Sequence, residues 1–445
     1  MPISLSPEAI ADIRSLVDQA CTNEHARLPC ASVVVLGKDE KSAPVELLVR
    51  SARSNGLETA NSPGKGSSSQ SPSQSKPGHD DIYWLASCTK LVTGIACMQL
   101  VEEGRLRLDD SSQVEELCPE LAIVKVLQDD GSLVDKERSI TLRMLLTHTA
   151  GFGYSFLNPK LQVYARRDRR GQAEYNEFSG SVSDFHQPLV NQPGERFEYG
   201  ISIDWVGIIV ERITGRKLND YMQQRIFSPL SLHNLTMVPS PYMKERLIGI
   251  WERGEDGQLA HRDYPVQMSL DDEFTPGLFH SGGAGLFGSI REFGKILGTL
   301  LNDGISPLTG TAILSPAIVR EMFTNQIPEQ PHFARRQLPA VKPELVYPVD
   351  DLYPPCPPCH PQGWGLSFMI SPGITGRSEA TGHWSGLSNV FWWCDRQKGV
   401  AGIVASQVLP FVDPYAAKLW VEVEAKVYEG VCEVQAGIDK GNGSA

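Results

Sequence analysis

The sequence predicts an α/β (α+β) chain: one sheet assembled from strands at both chain ends, flanked by helices, with a mainly helical stretch between them. Three observations predict it. Strand-like runs lie within residues 30–53 and recur from Gly363 onward, helical periodicity fills much of the region between, and no internal repeat interrupts the order. A single sheet is the simplest way to bury both sets of strands under the intervening helices. The chain has 445 residues, 41% of them hydrophobic, which is ample for a sizeable core.

In chain order, "SLSPEAIADIRSLVDQA" reads as an amphipathic helix capped near Ser6. "CASVVVLG" and "VELLVRSAR", residues 30–37 and 45–53, read as an antiparallel hairpin through "KDEKSAP". Residues 54–80 are rich in Ser, Gly and Pro with little to bury, and predict a flexible loop. Helical patterns follow over 87–103, 141–146, 202–214, 218–227, 290–301 and 316–324. "GWGLSFMI", "EATGHWSGLSNVFWWCD" and "GVAGIVASQ" then read as strands, and "PYAAKLWVEVEAKVYEGV" as a closing helix.

The formal net charge of −12 argues against a nucleic-acid or anionic-membrane binder, which needs a cationic surface. No run of about 18 apolar residues predicts a membrane span, and the N-terminus lacks the basic-then-apolar order of a signal peptide. Nine cysteines, an odd number mostly in apolar surroundings, fit reduced thiols and a cytoplasmic chain.

The chemistry begins in "YWLASCTKLVTGIACMQL". Ser87 and Lys90 stand three apart, so on a helix they are neighbours, with β-carbons about 5–6 Å apart. Ser87 would sit in the first turn, where free amides and the helix dipole favour negative charge. The same positive end, together with burial, disfavours an added proton on the lysine. A neutral amine there can take the serine proton. S-x-x-K alone is a weak signal, and by itself reads as an N-cap beside a solvated lysine. The helix face of Leu91, Ile95, Met98 and Val101 changes that, because it puts Lys90 where a lysine needs a reason.

Two more stretches supply one: "RFEYGISIDWVGIIVERITG", with Tyr199 before a helix, and "GHWSGLSNVFWWCD", with Trp384-Ser385-Gly386 on a strand. The order Ser87-Cys88-Thr89-Lys90, Tyr199, Trp384-Ser385-Gly386 resembles the penicillin-recognising serine hydrolases: class C β-lactamases, DD-peptidases and the esterases on that fold. "ITLRMLLTHTAGF", "GGAGLFGSIREFGKIL" and "VEEGRLRLDD" are similar to the same family. The likeness spans roughly residues 82–407. Within it, "YGISIDWVGIIVERITG" and "SNVFWW" resemble the lovastatin-type acyltransferases of fungal polyketide pathways.

The resemblance implies a single β-lactamase-like catalytic domain over 1–445. Residues 1–86 and about 285–445 would form the sheet subdomain, and about 87–284 the helical one. It implies Ser87 as nucleophile, Lys90 as base and Tyr199 sharing the proton, with the amides of Ser87 and Leu387 as oxyanion donors. Trp384, Ser385 and Gly386 would flank the substrate, Gly386 letting backbone approach it closely. No cofactor or metal is implied. The implied partners are a thioester acyl donor, on an acyl carrier domain or coenzyme A, and a small-molecule alcohol acceptor. A carboxylesterase with the same site is the alternative reading, and a catalytically inactive binding protein the alternative of another class. Two departures count against β-lactam turnover. β-Lactamases begin the third motif with Lys or His and place Asn two after the tyrosine, where this chain has Trp384 and Ile201.

Other motifs read more plainly. His148 in "LLTHTAG" predicts a helix-end histidine bonded to backbone rather than a triad member. His383 should point to the strand face opposite Trp384. "FHSGGAG" around Ser281 misses G-x-S-x-G by its first glycine. "CPPCHPQ", from Cys356, matches C-x-x-C-H but sits in a proline-rich run and predicts a loop rather than haem or zinc. Arg166, Arg167, Arg169 and Arg170 predict a solvated helix face, with docking of an acidic carrier domain as the functional reading.

Overall fold

The computed structural model describes residues 2–22, 28–39, 43–54, 80–168, 174–266, 269–270, 277–336, 340–349 and 360–433. The loop expected over 54–80 lies outside the described residues, apart from its first and last. Helix α1 (Pro7–Thr22) opens under Ser6, whose Oγ accepts from Ala9 N at 3.1 Å. Strands β1 (Cys30–Lys38) and β2 (Pro44–Arg53) form the expected antiparallel hairpin, with a register shift at Val35/Leu36.

Helix α2 (Thr89–Glu102) is buried from Thr89 to Leu100, as a helix apolar on every side must be. Helix α3 (Ser202–Thr214) packs on it, and α4 (Ile290–Leu301) follows. The pattern over 218–227 begins as α-helix at Leu218–Met222 and widens to a π-turn at Gln223–Phe227.

Beyond residue 360 the chain supplies β3 (Gly363–Trp364), β4 (Met369–Ile370), β5 (Gly382–Gly386), β6 (Val390–Asp395) and β7 (Val400–Ala405), then helix α5 (Pro414–Gly430). The main sheet runs β3-β4-β5-β6-β7-β1-β2, antiparallel throughout. Its strands therefore come from both ends of the chain. Alternation sorts the aromatic run of β6. Phe391 stacks on Trp420 of α5 (4.5 Å, 5°), while Trp392 turns to Phe293 of α4 (6.4 Å). Trp384 pairs with Trp392 and His383 with Trp393, so Trp384 and His383 look to opposite faces.

Small elements that periodicity did not announce complete the fold. A three-stranded sheet joins Val408–Leu409, Ile250–Arg253 and Leu259–Arg262, and the ion pair Arg253–Asp413 (2.6 Å), buried on both sides, ties it to the start of α5. Among the described residues no helix is long and apolar enough to cross a membrane.

Candidate active site

The chain enters α2 through strand Tyr83–Trp84 and a 3₁₀ turn, Ala86–Cys88. Ala86 has φ +44, a left-handed conformation that costs a residue with a Cβ on the order of 1–3 kcal/mol. The turn is pinned on both sides: Leu85 N donates to Leu286 O at 2.9 Å, and Leu286 N donates to Thr89 Oγ1 at 3.0 Å. The end of β5 then presses on it. A Cβ at Gly386 would stand 2.4 Å from Leu85 O, so only glycine fits. The sequence reading assigned that glycine to close approach of substrate; its nearest constraint is the backbone beside Ser87.

Lys90 is fully buried. Its Nζ lies 3.0 Å from Ser87 Oγ, 3.0 Å from the Tyr154 hydroxyl and 2.9 Å from Gly283 O. Behind this cluster stands Asp204 of α3, also buried, whose Oδ1 accepts from Ser281 Oγ (2.6 Å) and Gly283 N (2.9 Å). Burial pushes the Asp204 carboxyl up, and the Lys90 charge and those two hydrogen bonds oppose the rise. Gly283 is wedged between: a Cβ there would meet Asp204 Oδ2 at 2.4 Å and the Tyr154 hydroxyl at 3.0 Å.

Tyr199 reaches the same place from the turn before α3. Its ring stands 4.9 Å from Lys90 Nζ and 5.3 Å, edge-on, from the Tyr154 ring. Its hydroxyl accepts from Trp384 Nε1 at 3.1 Å. His148 packs on its other side at 4.9 Å, and burial first, then the Lys90 charge, holds that imidazole well below the usual histidine range. The Ser87 hydroxyl, the buried amine and the Tyr154 phenol thus share hydrogen bonds, an arrangement able to pass protons among them, with the Tyr199 ring packed alongside.

Ser87 opens into a largely apolar pocket. Tyr154, Phe156, Leu157, Val346, Leu387 and Phe411 are among its lining. The segment carrying Val346 is tied to two other lining segments, with Val341 N donating to Phe156 O (3.1 Å) and Phe411 N donating to Leu345 O (2.7 Å). Trp384, Ser385 and Gly386 line the floor beside Ser87, and Ile201 is buried.

The remaining motifs fall elsewhere. His148 Nδ1 accepts from Gly200 N at 3.4 Å, a backbone bond as expected of a helix-end histidine. His383 is buried on the far sheet face with Nε2 2.8 Å from Ser371 Oγ. Ser281 serves Asp204. Cys356 and Cys359 lie outside the described residues, and among those described no cluster of His, Cys, Asp or Glu could hold a metal. Arg166 is exposed and pairs with Glu174 at 2.8 Å; Arg169 and Arg170 lie outside the described residues, as does the side chain of Arg167.

Sequence reasoning missed Tyr154, Asp204 and the Gly283 carbonyl. For Asp204 a signal existed: a lone carboxylate inside "ISIDWVGIIV", where an unpaired charge has no cheap place. Tyr154 gave none, since a tyrosine in "GFGYSF" reads as ordinary core.

Known proteins resemble this chain in sequence and fold. The family model described as Beta-lactamase matches residues 24–425. A lovastatin esterase of Penicillium rubens is 34% identical over 75% of this chain and 81% of its own length. Monacolin J acid methylbutanoyltransferase of Aspergillus terreus is 32% identical over 77% of this chain and 81% of its own. Among solved structures, a variant of simvastatin synthase from Aspergillus terreus superposes with a TM-score of 0.70 at 26% identity, covering 95% of both chains. EstCE1, a hydrolase with promiscuous acyltransferase activity, shares the fold at a TM-score of 0.67 and 18% identity, over 95% of this chain and 99% of its own.

Proposed function

The chain belongs to the beta-lactamase family, and from that premise we propose that it is a serine acyltransferase working through an acyl-Ser87 intermediate. One observation carries the proposal: Ser87 Oγ, in the lining of an apolar pocket, stands 3.0 Å from the amine of a fully buried lysine. As a free amine, Lys90 would give its two N–H groups to Tyr154 and Gly283 and turn its lone pair to the Ser87 hydroxyl. Ser87 then attacks the acyl carbonyl as its proton passes to Lys90, with Tyr199 sharing the charge from the side. The amides of Ser87 and Leu387 would hold the oxyanion, each typically contributing ~3–4 kcal/mol to the barrier. An acceptor hydroxyl intercepts the acyl-serine and restores the proton.

The relatives named methylbutanoyltransferases support transfer of a short acyl group to a small-molecule alcohol. A thioester, on a carrier domain or coenzyme A, is the donor in this reading. Trp384 and Ile201 replace the cation and amide of β-lactamases, so turnover of β-lactams is not part of it. On this reading 1–445 is one catalytic unit, and the free cysteines at seven described positions suit a reducing cytoplasm. The relative named an esterase favours a second reading, hydrolysis of small esters by the same residues.

The test is intact-mass analysis after mixing with a chromogenic butanoate ester and with butanoyl thioesters. One acyl group per chain, mapped to Ser87, is expected. A folded chain that takes no label from any of them removes the proposal and leaves a binding protein. Product partition at rising alcohol concentration then separates transferase from esterase.

A further inference from the structure

We propose that Tyr154 is a further catalytic residue, the terminal member of a proton relay Ser87–Lys90–Tyr154 that protonates the leaving group during acylation and deprotonates the acceptor alcohol afterwards. The proposal rests on the acyl-Ser87 reading above and adds to it a residue outside the Ser-Lys-Tyr199 set.

The geometry points to it in three ways. First, Lys90 Nζ stands 3.0 Å from both Ser87 Oγ and the Tyr154 hydroxyl, so one amine bridges the two oxygens. Second, Ser87 and Tyr154 both line the pocket. A proton that leaves the serine inward can therefore re-emerge at the pocket wall, where the departing atom is. Third, among the described residues the one hydrogen bond of the Tyr154 hydroxyl is with Lys90, and its own proton is left to donate. Tyr199 differs here, because the donor its oxygen meets is the Trp384 indole and not the Lys90 amine.

The ring is held for such a task. It stacks on Phe156 at 4.9 Å and 26°, meets Tyr199 edge-on, and is almost wholly buried. Burial, and after it the negative charge of Asp204, push this phenol well above the ordinary tyrosine range. It therefore stays a phenol and suits relaying rather than holding a negative charge.

The steps balance. In acylation the bond from Ser87 Oγ to the acyl carbon forms, and the bond to the leaving oxygen or sulfur breaks. The serine proton goes to the Lys90 amine. A different N–H proton goes from Lys90 to the Tyr154 oxygen as the phenolic proton moves to the leaving group. Both residues end in their starting protonation state. Deacylation runs the same transfers backwards, from the acceptor hydroxyl to Ser87.

Leaving-group basicity tests the relay. An alkoxide must be protonated as it departs, whereas a nitrophenolate is stable as an anion. With Tyr154→Phe, kcat/KM for ethyl butanoate should fall about 10²-fold, the ordinary worth of a general acid, and that for 4-nitrophenyl butanoate less than about threefold. Rescue of the selective loss by Tyr154→His, which restores a proton-bearing ring, adds support. An equal fall with both esters assigns Tyr154 a merely structural role and overturns the relay, and so does an unchanged rate with ethyl butanoate. Should the variant not fold, acylation rates of the parent along a series of aryl and alkyl esters decide. A shallow dependence on leaving-group basicity supports the relay, and a steep one overturns it. A parent that takes no acyl group from the nitrophenyl ester at Ser87 is a separate result, and sinks the serine reading itself.

Discussion

The two sides of the pocket are built on different principles. On the inner side, Ser87, Lys90, Asp204 and Gly283 are fixed by hydrogen bonds of 2.9–3.0 Å, with Lys90 and Asp204 buried and Ser87 facing the pocket. On the outer side, Phe156, Phe178, Val346 and Phe411 meet the cavity with hydrocarbon alone. A buried polar network tolerates no vacancy, because each lost partner strands another buried group. A hydrocarbon wall tolerates exchange at roughly constant volume. The inner side should therefore decide whether the reaction runs, and the outer side which acyl group it runs on.

The harshest way to break this comparison is Ser87→Ala. Acyl labelling should vanish and turnover of a butanoate ester should drop at least ~10⁴-fold, read by steady-state kinetics, as when a serine nucleophile is removed elsewhere. Measurable label on the variant would place the nucleophile at another residue. Lys90→Ala and Tyr199→Phe come next, each lowering the acylation rate by ~10²–10⁴ in stopped-flow measurements. Their double variant should lose little more than the worse single one, since residues acting as a unit are not additive. Equal, additive, tenfold effects would contradict the unit.

Val346→Ala should act on the other side of the comparison. Acyl preference should move toward longer chains by about tenfold in the kcat/KM ratio of hexanoyl to butanoyl thioester, one or two methylenes being worth ~1–3 kcal/mol each. Ester labelling at Ser87 should persist. A collapse of all rates would mean that the wall also positions the chemistry.

Stability sharpens the contrast by pH. His148 beside Tyr199 and His383 on the far sheet face are both held neutral by burial, well below the usual histidine range, and His280 is lowered to about 4. A lowered folded value means that the unfolded chain binds more protons below about 6.5, so stability is present above that pH and is lost as pH falls. Urea midpoints measured from pH 7 to 5 should fall steadily. His148→Gln, which cannot titrate, should make the fall shallower, and an unchanged slope would take His148 out of the linkage.

The smallest effect belongs to the exposed surface. Arg166→Ser removes one exposed cation already paired with Glu174. It should raise the apparent KM for a carrier-bound donor no more than about two- to threefold, at low salt only, and leave a free thioester untouched. Identical kinetics with the carrier-bound donor at low salt would favour coenzyme A thioesters.

The same contrast explains what could be read in advance. Lys90 announced itself because a lysine on a helix otherwise apolar all round is costly, and the structure buries that helix from Thr89 to Leu100. Residues 202–214 and 290–301 were legible to the residue, since buried faces impose the 3.6 period. The strands after Gly363 were legible only as apolar runs, because the sheet buries them on both faces; 363–370 gives two strands of two residues each, and the run over 379–395 divides into β5 and β6. Residues 218–227 were read as one helix, and the π-turn at 223–227 left no mark because it needs no special residue type. The wall residues were invisible for a related reason: Phe156, Val346 and Phe411 are apolar like a hundred others, and only the folded chain brings them together. Tyr154 fell between the two cases, a polar tip on a residue that usually just fills space.

The pairing of β1 with β7 has a consequence for how the chain is born. Cys30–Lys38 leaves the ribosome some 360 residues ahead of Val400–Ala405, its neighbour in the finished sheet. At a typical elongation speed of ~5–20 residues per second, the valine-rich edge of the hairpin waits tens of seconds for its partner. Throughout that interval it offers unpaired amides and carbonyls to any other extended segment. Gly386, which closes against the turn holding Ser87, arrives almost as late. A nascent chain lacking its last eighty residues thus holds every atom of the Ser87–Lys90–Tyr154 cluster but not the strands that keep it in shape. Expression in a host short of chaperones should yield aggregate before it yields a half-active fragment.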